Sequence, residues 1–303
     1  MSLKVTLVCA GIAGKGFNSL GQGMDSGWIS HGLAILSACA KAKGFEVNLL
    51  DLRALRDWDH VRSELELRQP DVVGVSMMSV DYNPAMECLA VVREVLPHAI
   101  TVVGGAHPTI MPDEVKDSTL IDHVFLGEAE ITFPDFLERC QRGEPSERVI
   151  SPVQPDLDAI PFADHELFLQ EWRKWGYQQD SPEAPFVAEL PPPFVTIIAG
   201  RGCIYNCSYC QPAERHIFGR RVRRRSVANV MAELRELHQR YSFNSLMFHD
   251  DCLTEDREWV IAFCQAYREA GFRQPFFCQS RADIIVENED MVRLMAEAGL
   301  RGY

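Results

Sequence analysis

Nearly unbroken apolar runs, set apart by helix-length stretches, constrain the first half of this chain more than any other feature. Residues 4–10 (KVTLVCA), 71–80 (DVVGVSMMSV) and 100–105 (ITVVGG) are apolar at consecutive positions rather than at alternate ones. A strand of that kind must be covered on both faces, as strands of parallel sheets are. Shorter strands are expected at 45–50 and 123–126. Helical periodicity runs through 29–43, 83–96 and 131–141, and the first of these stops before Gly44, a C-cap residue. Strands alternating with helices predict a doubly wound α/β domain built on a parallel sheet. Such sheets take ligands beyond the C-terminal strand ends, where the strand order reverses.

The predicted strand ends are therefore the places to look for a site. They are the loop 11–27, with glycines at 11, 14, 16, 21, 23 and 27, and then 76–80, 104–109 (GGAHPT) and 127–130 (GEAE). Small residues there let a planar or phosphate-bearing ligand approach the backbone, and they equally shape tight turns. No compact G-x-G-x-x-G follows the first strand, which disfavours a nicotinamide dinucleotide. Residues 143–193, rich in Pro, Asp and Glu, read as a linker between this domain (1–142) and a second one (194–303). A short helix at 166–175, with Trp172 and Trp175, is expected to pack between the two.

The second domain opens with a strand at 194–199 (FVTIIA), and directly after it comes Cys203-x3-Cys207-x2-Cys210. Three thiolates so spaced can hold three irons of a [4Fe–4S] cluster and leave the fourth open, whereas such clusters otherwise usually take four cysteines. A structural zinc site is the competing reading. It needs a fourth ligand, which Cys252, Cys264, Cys278 or His216 would have to supply. Cys9, Cys39, Cys88 and Cys140 fall within apolar segments and read as core. The chain has ten cysteines, no run of about 18 apolar residues and no recognisable secretory signal. It is thus expected to lack a membrane span and to work in the cytoplasm with its thiols reduced. A net charge of -13 argues against nucleic acid as a partner.

The cysteine spacing, with Tyr209 at the aromatic position before the last cysteine, resembles the radical S-adenosylmethionine (SAM) family. GGAHPT followed some twenty residues later by GEAE resembles the Rossmann-like cobalamin-binding domain attached to many of those enzymes. That resemblance implies cobalamin contacts from Ser76, Ser79, Gly104, Gly105, His107, Gly127 and Glu128. The D-x-H-x-x-G motif that supplies a cobalt-ligating histidine in mutase-type cobalamin domains is absent from 11–27, which leaves His31 and His107 as conceivable ligands or as structural residues. The resemblance further implies that the open iron chelates SAM, that SAM is cleaved to a 5′-deoxyadenosyl radical, and that a reducing electron-donor protein supplies the electron.

Downstream, strands at 245–249 and 276–279 and helices at 227–241, 254–270 and 288–297 fit the first units of a partial β/α barrel, with Ser226 as an N-cap. His249-Asp250-Asp251 stands where many radical SAM proteins have a Gly-Gly-Glu type segment, so Asp250 or Asp251 is expected to accept the SAM ammonium group. Arg281, at a strand's C-terminal end, is expected to contact SAM or substrate. The run 220–225 (RRVRRR) reads as a solvated loop or as guanidiniums facing an anionic ligand or the first domain. A fourth strand should begin at Tyr303, which predicts a barrel cut short. The family resemblance implies methyl transfer or oxidative cyclisation, of the anaerobic Mg-protoporphyrin monomethyl ester cyclase kind, on a small molecule the residues do not identify. A methylthiotransferase would need further cysteines on loops such as 76–80 and 104–109, where none is found. A cobalamin or tetrapyrrole carrier or sensor without SAM cleavage is the non-enzymatic alternative.

Overall fold

In the computed structural model, residues 3–14, 16–20, 28–176, 191, 193–207, 210 and 212–302 are described. The chain divides into two units, Met1–Pro182 and Glu183–Tyr303.

The first unit is a six-stranded sheet of β1 (Lys4–Cys9), β2 (Glu46–Asp51), β3 (Val72–Ser76), β4 (Ile100–Gly104), β5 (His123–Phe125) and β6 (Val149–Ile150). The order is β2-β1-β3-β4-β5-β6, with every pair parallel. Consecutive strand residues point to opposite faces, so the apolar runs feed two cores. Val8, Val73, Val75 and Val103 pack against α2 (Trp58–Arg68) and α3 (Tyr82–Val95) on one face. Leu7, Leu49, Val72 and Val102 pack on the other against α1 (His31–Ala42) and, further along the chain, α5 (Thr132–Gln141) and α6 (His165–Lys174). A short α4 (Ala106–Ile110) follows β4. This is the doubly wound sheet expected.

Three features of this unit differ from the sequence reading. Helix α2 was not anticipated, because only Val61, Glu64 and Leu65 of its eleven residues are buried and its apolar stripe is too thin to stand out. Its start is marked by Asp57, whose carboxylate accepts the His60 N–H at 2.8 Å. Val149–Ile150, in the stretch read as linker, pairs with β5 as a sixth strand, too short to carry a pattern. Helix α6, expected between domains, belongs to the core of the first unit. Trp172 is fully buried there and its indole N–H donates to Asp51 at 2.9 Å. Asp164 caps α6 and also accepts from Ser37 and Lys41 of α1.

The second unit has a parallel sheet in the order β12-β11-β10-β7, from β7 (Phe194–Ile197), β10 (Ser245–Phe248), β11 (Phe276–Phe277) and β12 (Leu300–Gly302). A separate antiparallel pair joins β8 (Gly200–Arg201) to β9 (Arg223–Arg224). The helices are α7 (Pro212–Phe218), α8 (Val227–Tyr241), α9 (Arg257–Glu269), α10 (Ala282–Glu287) and α11 (Glu289–Ala298). Strand followed by helix, repeated with all strands parallel, is the pattern of a β/α barrel's opening units. Ser226 caps α8 through a 3.1 Å bond from Asn229 N–H, as expected. The fourth strand begins three residues earlier than expected. Gly299 (φ 131°) ends α11 and turns the chain so tightly that a Cβ there would lie 2.9 Å from the Gln274 carbonyl oxygen. The strand can then start at once. Among the described residues no helix is long and apolar enough to cross a membrane.

Candidate functional site

In the first unit the chain leaves β1 toward β2 on one side and reaches β3 on the other, so the order reverses between β1 and β3. That is where a ligand crevice opens in a sheet of this order. Five of the seven candidate binding residues are drawn into one hydrogen-bonded or close-packed system there. Ser79 shares a 3.2 Å hydrogen bond with His107 Nδ1. The His107 N–H donates to the Met77 carbonyl, and the Met77 N–H to Gly104. Thr109, which sequence reasoning did not single out, donates its hydroxyl to the Gly105 carbonyl at 2.7 Å and accepts the Gly127 N–H at 2.8 Å. Ser76 closes β3 half-buried, and Glu128 is buried. His107 is buried against the Tyr82 ring, and its Nε2 lies 3.3 Å from the Glu114 carboxylate. Of its ring nitrogens only Nδ1 is hydrogen-bonded, and Nε2 is buried without a hydrogen-bond partner among the described residues. His31 is buried at the start of α1 beside His165.

Gly105 has φ 103° and ψ -166°, a region essentially closed to other residues. A Cβ there would sit 2.9 Å from the Met77 carbonyl oxygen and 3.1 Å from its nitrogen. Gly105→Ala is thus expected to cost at least about 2 kcal/mol, because backbone strain and backbone overlap act together. Gly104→Ala, whose Cβ would meet only Phe125 at an ordinary 3.5 Å, should cost under about 1 kcal/mol. Urea denaturation of the two variants checks the contrast, and equal losses would count against the strain.

The loop after β1 is pegged by residues that sequence reasoning missed. Asp51, fully buried at the end of β2, takes a two-pronged bond from Arg53 (2.9 and 2.7 Å). The Arg53 carbonyl accepts from Ser19 and Leu20, and its guanidinium donates to the Trp28 carbonyl. Asp81, at the loop after β3, is buried, and burial raises its carboxyl above the usual range. Cys9, next to this pair, stays a thiol, because burial pushes it up to about 11. Around the crevice Met78, Val80, Met111 and Ile131 expose apolar surface on the loops that follow β3, β4 and β5. A glycine-lined cradle with an apolar rim fits a large planar ring carrying a polar tail.

In the second unit, β7 runs into β8 and then into the cysteine loop. Gly202 (φ 93°) is forced, because a Cβ would lie 2.5 Å from the Arg221 carbonyl oxygen and 2.9 Å from Phe218 Cβ. Cys203 and Cys207 are half-buried, Cys210 is exposed, and the Cys210 N–H donates to the Cys207 carbonyl. Three thiol donors on one short, glycine-anchored loop suit an iron–sulfur cluster. The described side chains are not gathered into any set of three metal ligands, these cysteines included. The competing zinc ligands gain no support. Cys252, Cys264 and Cys278 are core residues, and burial pushes the last two up to about 12. Tyr209 lies outside the described residues.

Of the candidate SAM residues, Asp250 is committed elsewhere. It is buried, and one of its carboxylate oxygens accepts the Ala199 N–H at 2.8 Å. Its other oxygen lies 3.6 Å from Arg224. Asp251 is the exposed carboxylate, near enough to Cys203 to reinforce burial in holding that thiol protonated. His249 is neutral at physiological pH, because burial pulls it down to about 4. Neither reading of the arginine run covers Arg224 and Arg225. Arg224 pairs with Glu255 at 3.1 Å and lies over the Trp259 ring. Arg225 pairs with Glu233 and donates to the Ile198 carbonyl. Arg281 reaches the cysteine loop itself, with Nη1 3.4 Å from Cys207 Sγ and its guanidinium carbon 3.9 Å from the centre of the Tyr205 ring.

Comparison with known proteins places the first unit in particular. The family model for the B12 binding domain matches residues 24–137. The cytidylyl-2-hydroxyethylphosphonate methyltransferase of Streptomyces wedmorensis is 27% identical over 88% of this chain and 59% of its own length. The anaerobic magnesium-protoporphyrin IX monomethyl ester cyclase of Rubrivivax gelatinosus is 24% identical over 94% and 52%. The hopanoid C-3 methylase of Methylococcus capsulatus is 25% identical over 89% and 51%. The chain thus spans a little over half the length of these curated relatives. In fold it superposes on the cobalamin-dependent SAM radical enzyme OxsB, solved with aqua-cobalamin and SAM bound. The TM-score is 0.74 at 17% identity, covering 99% of this chain and 43% of that one. It also superposes on the radical SAM methyltransferase TsrM from Kitasatospora setae, with a TM-score of 0.66 at 20% identity, covering 99% and 58%. Residues 24–137 match the B12 binding domain, and the chain as a whole resembles cobalamin-dependent and radical SAM enzymes in fold.

Proposed function

We infer that this protein is a cobalamin-using radical SAM enzyme acting on a small molecule by methyl transfer or oxidative cyclisation. The observation that carries the reading is the Cys203-x3-Cys207-x2-Cys210 loop at the C-terminal end of a parallel strand, in a chain whose other unit matches the B12-binding domain. When bound, the cluster with SAM would supply a 5′-deoxyadenosyl radical, and cobalamin a transferable methyl group or a redox centre. Cys203, Cys207 and Cys210 hold the cluster. Asp251, exposed beside Cys203, accepts the SAM ammonium group in place of the buried Asp250. The crevice formed by Ser76, Ser79, Gly104, Gly105, His107, Gly127 and Glu128 seats the corrin and its tail. A low-potential electron-donor protein serves the cluster.

Anaerobic reconstitution with iron, sulfide and aquocobalamin tests this, read by metal analysis and visible absorption. About four irons per chain are expected, together with one corrinoid. The Cys203→Ala/Cys207→Ala/Cys210→Ala variant should lose the iron and keep the corrinoid, because the two sites lie in different units. Corrinoid without iron in the wild-type protein would overturn the radical reading and favour a carrier or sensor.

A further inference from the structure

The guanidinium of Arg281 is held on three sides. Its Nε and Nη2 donate to Asp283 at 3.1 and 2.7 Å, its face lies 3.9 Å from the centre of the Tyr205 ring, and Nη1 donates to Cys207 Sγ at 3.4 Å. The Tyr205 carbonyl is fixed in turn by Arg215 at 2.6 Å. A planar cation pinned by a carboxylate fork and a ring face has little freedom left, so one of the three N–H groups outside the fork, on Nη1, is aimed at a cluster cysteine. We propose that Arg281 positions Cys207 and sets the reduction potential of the cluster through an N–H to sulfur hydrogen bond and its positive charge. This rests on the cluster reading above.

Hydrogen bonds to the sulfurs and local net charge tune iron–sulfur potentials. Reduction adds an electron to a cluster already ligated by thiolates, so a cationic donor favours the reduced form. Removing it makes the midpoint more negative. Asp283 offsets part of the arginine's charge, so neutralising that carboxylate works in the opposite sense. Both side chains are partly exposed, and salt should weaken the effect without changing its sign.

The test is an EPR-monitored redox titration of the reconstituted protein at matched ionic strength, with iron content measured alongside. Arg281→Gln is expected to lower the one-electron reduction constant about tenfold, a midpoint about 59 mV more negative. Arg281→Lys keeps the charge and loses the fork, and should fall between Arg281→Gln and wild type. Asp283→Asn should move the midpoint to less negative values. If Arg281→Gln fails to load iron while Arg281→Lys loads with a shifted midpoint, the positioning role stands. An unchanged midpoint in fully loaded Arg281→Gln overturns the proposal, as does Asp283→Asn shifting in the same direction as Arg281→Gln. Iron-free wild-type protein removes the cluster reading itself, and the proposal with it.

Discussion

Asp250→Ala should destabilise the protein by about 1–3 kcal/mol at neutral pH, the cost of leaving a buried donor without its acceptor. The alanine would leave the Ala199 N–H without its acceptor and Arg224 with Glu255 as its remaining carboxylate. Asp250→Asn keeps an acceptor oxygen and should cost far less. The two variants also separate by pH. Burial pushes the Asp250 carboxyl from about 3.8 up to about 6, outweighing the backbone N–H groups and Arg224, which pull it down. A carboxyl raised in the folded state contributes stability that is fully present below about 4 and lost as pH climbs through about 6. An asparagine has no such dependence. Between pH 5 and 7.5 the stability difference should therefore move toward Asp250→Asn by about 1 kcal/mol. Urea denaturation at the two pH values measures this. A gap that moves the other way would mean the carboxylate, rather than the neutral acid, is the form the fold prefers. The same substitutions bear on the site, because Asp250 ties down the backbone four residues before Cys203. Asp250→Ala should load markedly less iron than Asp250→Asn.

Asp51→Ala carries a larger cost, about 3–5 kcal/mol, for a different reason. Arg53 is 6% exposed and Asp51 not at all, so the guanidinium would remain buried without its charge partner. The Trp172 indole N–H would lose its acceptor as well. Asp51→Leu/Arg53→Met should recover a large part of the loss, since apolar replacement of a whole buried pair is often neutral. Corrinoid uptake should not recover with it. The Arg53 guanidinium holds the Trp28 carbonyl on the loop after β1, and that loop borders the crevice. Denaturation and corrinoid absorbance measured on the same two variants would separate stability from binding. Full corrinoid uptake by the double variant would free the crevice from dependence on this pair.

The sequence by itself determined whatever rests on local pattern. Consecutive apolar residues in β1, β3 and β4 require a sheet covered on both faces, and that requirement survives any detail of packing. The cysteine spacing, Gly105 at a turn and Ser226 at a helix start are equally local, and the first placed the candidate cluster loop before any coordinates. Helix α2 and strand β6 escaped because their apolar signal is too thin or too short. The rest was decided by tertiary structure. Asp250 and Asp251 are adjacent acids with the same intrinsic chemistry, and only the fold buries one beneath Ala199 and leaves the other beside the cysteine loop. Arg224 and Arg281 look alike in the chain, yet one is enclosed by Glu255 and Trp259 and the other is aimed at Cys207. Asp51, Arg53 and Trp172 meet across more than a hundred residues. Burial and long-range pairing set what an ionisable side chain does, and neither is a property of its neighbours in sequence.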